Sequence, residues 1–480
     1  MQLPQQFLVE MKEILGAEYQ AFLQGFDALP LRGVRFNLLK LRDSGPEELR
    51  GLAGEVFGQD ITRPVPWCGE GFIYPSAASE AETLRPAKSV FYRAGLFYIQ
   101  EPSAMSPAQV LAAQPGERVL DICAAPGGKS AQIAGHMQNA GLLVSNDLSP
   151  TRSRALVKNL ELAGVRNAIV LTEHPKKLAA RFSGFFDRIL VDAPCSGEGM
   201  FRRDPDAVKA YSAAKPEVCM AMQREILRHA AKMLRPGGRL VYSTCTFNIS
   251  ENEGMIAEFL AENEGFSLVE INHRGLGLSC GRGAPEVAAA VARIWPHLSP
   301  GEGHFIACLQ KDDGEHLIED APAEAPKMSK KQRKGETSNI QLLPREFTAF
   351  CQENLMGFNM ATPFQLHGKS LYLQPETIDL SGLRVARSGW YAGEIEKDRF
   401  TPSQAFAMGL TRAEACFAVE LPEADAWRYL KGESLPFAQT LSATVKKPWV
   451  LICHRGYPLG WAKLVQGRLK CQLPTGWCVI

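Results

Sequence analysis

The chain has almost no net charge. Its 53 Lys and Arg stand against 52 Asp and Glu, a balance of +1 over 480 residues. No global basic field announces nucleic acid, so any phosphate-binding site must be a local patch. No apolar run reaches the ~18 residues of a membrane-spanning helix. The opening Met1-Gln2-Leu3-Pro4-Gln5-Gln6 lacks the charged start and apolar stretch of a secretory signal, so a cytoplasmic location is expected. The 12 cysteines include no Cys-x-x-Cys and no paired Cys/His spacing, which argues against a metal site. Most of these thiols are expected to be buried and reduced.

The composition is otherwise that of a globular protein, 45% hydrophobic and 22% charged. The length allows roughly three domains of ~150 residues. The clearest boundary is 312–340, which opens acidic, passes an Ala- and Pro-rich stretch and turns basic. It has almost no large apolar residues and reads as a linker. Residues 1–95 read as a separate mixed α+β module. Residues 96–311 alternate strand and helix, and 341–480 show short strands broken by Gly and Pro.

In the middle segment the strands are Arg118–Ile122, Gly141–Asp147, Ala168–Leu171, Phe186–Asp192 and Arg239–Ser243. Helices are expected near Ser130–Met137, after Ser149-Pro150, and over Gln223–Leu234, the last ending at Pro236-Gly237-Gly238. Ser250-x-x-Glu253 reads as a capping box for a further helix. Near-continuous apolar strands alternating with helices predict an α/β parallel sheet covered on both faces.

After the first strand comes Asp121-Ile122-Cys123-Ala124-Ala125-Pro126-Gly127-Gly128-Lys129. The loop is neither Gly-x-Gly-x-x-Gly nor a phosphate-binding Walker loop, which argues against nicotinamide, flavin and nucleoside triphosphate. Gly127 and Gly128 admit close approach of backbone to a ligand. Asp147, closing the second strand, could hold a ribose diol, so the pair suits an adenosyl ligand.

Two cysteines stand at strand ends, in Asp192-Ala193-Pro194-Cys195-Ser196 and Ser243-Thr244-Cys245-Thr246. Each is followed by a helix-start signal, a position that can favour the thiolate. Methylation of a pyrimidine at carbon 5 would use such thiols, because that carbon becomes nucleophilic only after a thiolate adds to carbon 6. Asp192, if burial kept it protonated, could donate to the ring nitrogen N3. Spacing alone does not say which cysteine attacks. From Ser434 to Ile480 there is no Asp or Glu, while Lys446, Lys447, Arg455, Lys463, Arg468 and Lys470 alternate with Trp449, Tyr457, Trp461 and Trp477. That pattern predicts an RNA-binding module, with aromatics stacking on bases.

Together with Gly95-x-x-Tyr98-Ile99-Gln100-Glu101-Pro102-Ser103-Ala104-Met105 and Arg235-Pro236-Gly237-Gly238, these motifs make the chain resemble the RNA cytosine-5 methyltransferase family over nearly its whole length. The resemblance implies a Rossmann-like core that uses S-adenosyl-L-methionine. It implies Cys245 as nucleophile, Cys195 as the residue assisting product release, and Asp192 and Lys129 in the catalytic set. Cys123, Ala124, Ala125, Pro126, Gly127, Gly128, Lys129, Asp147 and Asp192 would line the cofactor site. The family usually has an Asp after the third strand near the adenine, and Glu173 stands in its place here. Residues 399–480 resemble the family's PUA-like RNA-binding domain and 341–398 its smaller companion domain. The implied product is 5-methylcytosine in 16S ribosomal RNA, free or in the assembled 30S subunit, made by a monomer. A transfer-RNA cytosine-5 methyltransferase and a non-catalytic RNA-binding assembly factor are the alternatives.

Overall fold

The computed structural model describes residues 3–57, 63–74, 85–212, 215–313, 342–437 and 449–479. Five parallel strands form its centre: β1 Arg118–Asp121, β2 Leu142–Asn146, β3 Ala168–Leu171, β4 Phe186–Asp192 and β5 Leu234–Thr244. Their interiors are apolar and buried on both faces, the pattern required when helices cover a sheet on both sides. The helices α1 Gly128–His136 and α2 Pro150–Ala163 follow β1 and β2, and α3 Lys215–Met233 precedes β5. The Ser149 hydroxyl caps α2 by accepting from the Arg152 amide at 3.3 Å.

The sheet is wider and more mixed than the sequence pattern predicts. β6 His304–Lys311 runs antiparallel to β5, and Ala292–Ile294 and Ser279–Cys280 extend that wing. At the opposite edge β7 Val385–Arg387, from the companion domain, pairs antiparallel with β3. The central order is β6-β5-β4-β1-β2-β3-β7. The chain runs outward from β1 to β3 and returns to β4 on the other side of β1. In open α/β sheets ligands bind at such a reversal, here at the carboxyl ends of β1 and β4.

Two local expectations give way to tertiary contacts. Pro236-Gly237-Gly238 lies inside β5, because β5 already starts at Leu234, opposite Phe186 and next to a bulge. The Ser250 capping box does not form. The helix Glu253–Glu262 begins after Asn252 without a side-chain cap, and the buried Arg293 guanidinium donates to the Glu253 carboxylate at 2.7 Å.

The N-terminal module has helices Gln5–Leu15, Tyr19–Asp27 and Pro46–Phe57. Its antiparallel sheet includes Arg32–Phe36 paired with Cys68–Tyr74 and with Phe97–Ile99, so it closes beyond residue 95. Phe7 and Phe22 pack with Phe201, Phe247 and Trp295 of the catalytic domain. In the companion domain Arg399–Pro402 pairs with Trp390–Glu396, so that sheet closes beyond residue 398. The last module is a five-stranded sheet containing Trp449–His454, Tyr457–Val465 and Arg468–Cys471. Of the expected linker only Asp312 and Asp313 fall within the described residues.

Candidate active site

The strand order decides which loops meet. β4 lies between β1 and β5, so the glycine loop, the Pro-Cys loop and the Thr-Cys loop share one end of the sheet. Asp192 is in register with Ser243. Beyond that pair the chain ends in two half-buried thiols, with Cys195 Sγ 3.4 Å from Cys245 Sγ.

Neither thiol stands at an α-helix N-terminus, contrary to expectation. A short 3-10 turn, Glu198–Met200, follows Cys195, and the helix after Cys245 starts only at Glu253. The Cys195 thiol is pushed well above its ordinary value by its hydrogen bond with Cys245 and by burial.

Asp192 is the hub. Lys129 Nζ donates to its Oδ2 at 2.8 Å, Ser243 Oγ donates to its Oδ1 at 2.9 Å, and the buried His304 ring nitrogen Nε2 stands 3.6 Å from Oδ1. Burial pushes this carboxyl up, but Lys129 and His304 outweigh it and hold Asp192 well below the usual carboxylate range. The expectation of a protonated, donating Asp192 is therefore corrected: it is an ionised acceptor. Burial likewise pushes Lys129 down, but Asp192 keeps it above its ordinary value. Lys129 thus faces Asp192 as a cation.

The glycine loop is held through its own backbone amides and carbonyls, with Asp147, the residue after β2, as one partner. Gly127 adopts φ 109, a left-handed conformation that suits glycine, and opens α1. The Ala124 amide donates to the Asn146 carbonyl at 2.8 Å, and the Ala125 amide to Asp147 Oδ2 at 3.3 Å. The Ala125 carbonyl accepts from Arg152 at 2.7 Å and the Pro126 carbonyl from Asn159 at 2.8 Å. Burial pushes the Cys123 thiol far up, so it is neutral packing beside the loop. Beneath, buried Asp121 accepts from Ser130 at 2.6 Å, and burial raises its carboxyl to about 7.

Glu173 is where the sequence puts it, just past β3, but its carboxylate is engaged elsewhere. It is fully buried, its Oε1 accepts from the Arg384 amide at 2.8 Å, and Lys177 Nζ lies 3.5 Å away. The residue fastens β3 to the companion domain.

A second buried layer supports the cysteines, and sequence reading missed it. Glu198 accepts from Thr246 Oγ1 at 2.9 Å and from the Phe247 amide at 3.0 Å. Glu251 accepts from the Ser196 amide at 3.0 Å and from Gln223 at 2.8 Å. The Gly199 amide donates to the Cys245 carbonyl at 2.8 Å. The available signal was the run of polar residues directly after two apolar strands. His304, a polar residue opening an apolar strand, was a weaker one.

The C-terminal aromatics depart from the stacking expectation. Trp449 and Trp461 are core residues, at 9% and 2% exposure. Lys463 lies over Trp449, and Lys158 of α2 lies over Trp477. Arg455 pairs with Glu55 of the N-terminal module. Lys446 and Lys447 lie outside the described residues.

A sheet of this order, with a glycine loop at its reversal point, is a Rossmann-like methyltransferase core, and residues 108–310 match the family 16S rRNA methyltransferase RsmB/F. Residues 3–102 match the N-terminal domain of 16S rRNA methyltransferase RsmF, 349–410 the RsmF rRNA methyltransferase first C-terminal domain, and 416–479 the methyltransferase RsmF PUA domain. Ribosomal RNA small subunit methyltransferase F of Enterobacter sp. (strain 638) is 32% identical, covering 98% of this chain and 95% of its own. That of Escherichia fergusonii is 32% identical with the same coverage. The chain belongs to the RsmF-type 16S rRNA methyltransferases. A methyltransferase homologue from Pyrococcus horikoshii is 29% identical, with a TM-score of 0.51 over 63% of this chain and 93% of that one. NSun6 from the same organism, at 23% identity and a TM-score of 0.54 over 64% of this chain and 98% of that one, shares the fold. Among the described residues, no helix is long and apolar enough to cross a membrane.

Proposed function

We propose that this chain forms 5-methylcytosine in 16S ribosomal RNA through a covalent adduct between Cys245 and carbon 6 of the cytosine. The observation that carries the reading is the paired thiols, 3.4 Å apart, beside the ionised Asp192–Lys129 pair. The residues present fit S-adenosylmethionine: a glycine pair opening α1 gives room for backbone approach, and the Asp147 carboxylate suits a ribose diol. Cys123 to Lys129, Asp147 and Asp192 would hold it. When bound, it supplies a methyl group as an electrophile.

The chain's own residues do the rest. Cys245 adds as a thiolate to carbon 6, and the electrons of the ring double bond move through to N3. The Lys129 ammonium opposes that negative charge, and ionised Asp192 can accept from the exocyclic amine of cytosine. Carbon 5 is thereby made nucleophilic. After it is methylated, a base takes its proton. The electrons of that bond restore the ring double bond as the Cys245 sulfur leaves with its pair. Cys195 lies within reach of the Cys245 sulfur and is assigned to this release step: once that sulfur is bonded to carbon 6, the hydrogen bond that raises the Cys195 thiol is gone, and the Cys195 thiolate can serve as the base.

The test is methyl transfer by the purified chain to 16S ribosomal RNA, to assembled 30S subunits and to transfer RNA, mapped by bisulfite sequencing. The expected result is one or more 5-methylcytosines in the ribosomal substrates. Modification confined to transfer RNA, or to another atom, would overturn it.

A further inference from the structure

Arg35 carries a contact that the reaction above does not use. It lies on the N-terminal strand Arg32–Phe36, yet it is buried, at 3% exposure. Its Nε donates to Gln100 Oε1 at 2.8 Å, and its Nη2 donates to the Gly128 carbonyl at 2.8 Å. Gly128 is the second glycine of the loop. A side chain there would press on the same module, since an added Cβ would stand 3.1 Å from the Tyr98 ring and 3.5 Å from Gln100. The far end of α1 is held too: Glu70 of strand Cys68–Tyr74 faces His136 at 3.3 Å. The N-terminal sheet therefore grips the first helix after the glycine loop at both ends.

A peptide unit is planar, so a fixed carbonyl fixes the amide of the next residue pointing the other way. Holding the Gly128 carbonyl thus orients the Lys129 amide, and Lys129 also carries the ion pair to Asp192. An arginine held by a second acceptor is a stiffer donor than a free one, because its planar fork is already oriented.

We infer that Arg35 is a positioning residue for the cofactor loop, so that the N-terminal module is a working part of the S-adenosylmethionine site. The inference rests on the proposed use of that cofactor. It also argues against Arg35 as an RNA contact, because the guanidinium is buried and two of its donors are engaged within the protein.

The experiment titrates S-adenosylhomocysteine into the full-length wild type, Arg35→Met and Arg35→Lys by calorimetry, with melting temperatures and filter-bound RNA affinity alongside. Arg35→Met keeps the stem and loses the donors. The expected result is about a tenfold weaker Kd, or about 1.4 kcal/mol, and a KM for the methyl donor raised more than kcat is lowered. Arg35→Lys should recover part of the loss, and RNA affinity should be unchanged. If Arg35→Met does not fold, Gln100→Leu, which removes the acceptor that aims Arg35, should weaken the Kd several-fold. Unchanged cofactor affinity in a folded variant would overturn the inference while leaving the reaction intact. A wild type that binds no S-adenosylhomocysteine would instead overturn the functional reading.

Discussion

Asp192 and Ser243 are partners across β4 and β5, and the Ser243 hydroxyl donates to the Asp192 carboxylate at 2.9 Å. Each strand continues past this pair into a cysteine loop. One register thus sets both the acid and the two thiols, which are 50 residues apart in the chain. The proposed mechanism gives the two cysteines different roles. Cys245→Ala should abolish methyl transfer and leave S-adenosylhomocysteine binding near normal. Cys195→Ala should accumulate a protein–RNA adduct, visible as a shifted band on a denaturing gel. No such band with a good substrate would remove Cys195 from the release step.

The ionised state of Asp192 gives a distinct expectation. Asp192→Asn keeps the shape, loses the charge and leaves Lys129 buried without its counter-ion. We expect kcat to fall by at least about a hundredfold, the scale of removing one preorganised electrostatic partner. Single-turnover kinetics at saturating methyl donor should show the loss in the chemical step.

Glu198 sets a pH dependence of stability. Burial raises its carboxyl to about 7 from an ordinary 4.5, against the hydrogen bonds from Thr246 and Phe247. Glu251 and Glu10 face it with like charge, and Tyr211 lies nearby. An acid raised on folding binds its proton more tightly in the native state. Its contribution is therefore full below pH 4.5 and is lost as pH rises to 7, by up to about 3 kcal/mol. Burial raises Asp121 and Glu251 as well, with the same sign. Melting temperature should fall across that window in the wild type, and Glu198→Gln should fall less steeply.

Gly199 tests the support of the Cys245 loop. A Cβ there would sit 2.7 Å from the Cys245 carbonyl oxygen and 3.1 Å from that of Gly303. Both obstacles are backbone, so Gly199→Ala must shift the loop. Activity should drop more than tenfold with cofactor affinity unchanged, as read by KM, kcat and calorimetry.

The basic C-terminal stretch retains an RNA prediction without the tryptophans. Replacing Lys446, Lys447 and Lys470 with Ala should weaken RNA binding. Each lost phosphate contact should reduce the salt slope by about 0.7 to 0.9. An unaltered slope in filter binding would locate the RNA grip elsewhere.

The strands were legible where an apolar run ended at a turn or an acid. Ala168–Leu171 and Phe186–Asp192 are strands over the same residues that the pattern gives. The two cysteines were legible as a pair because their strands looked like neighbours, and the strands are neighbours. What depended on distant partners was not legible. Glu253 reads as a cap until Arg293 takes its carboxylate. Asp192 reads as a proton donor until Lys129 and His304 stand beside it. Trp449 and Trp461 read as stacking platforms because a basic neighbourhood looks the same around a core residue and an exposed one.

The strand that the companion domain lays along β3 has a practical meaning for anyone dissecting this protein. Cut after residue 311, the catalytic domain would expose the amides and carbonyls of β3 that Val385–Arg387 now pairs, and would release Glu173 from Arg384. A bare, apolar edge strand is a template for another chain. The shortened protein should therefore self-associate on purification. A soluble minimal enzyme must carry the companion domain even if every reacting residue lies before it.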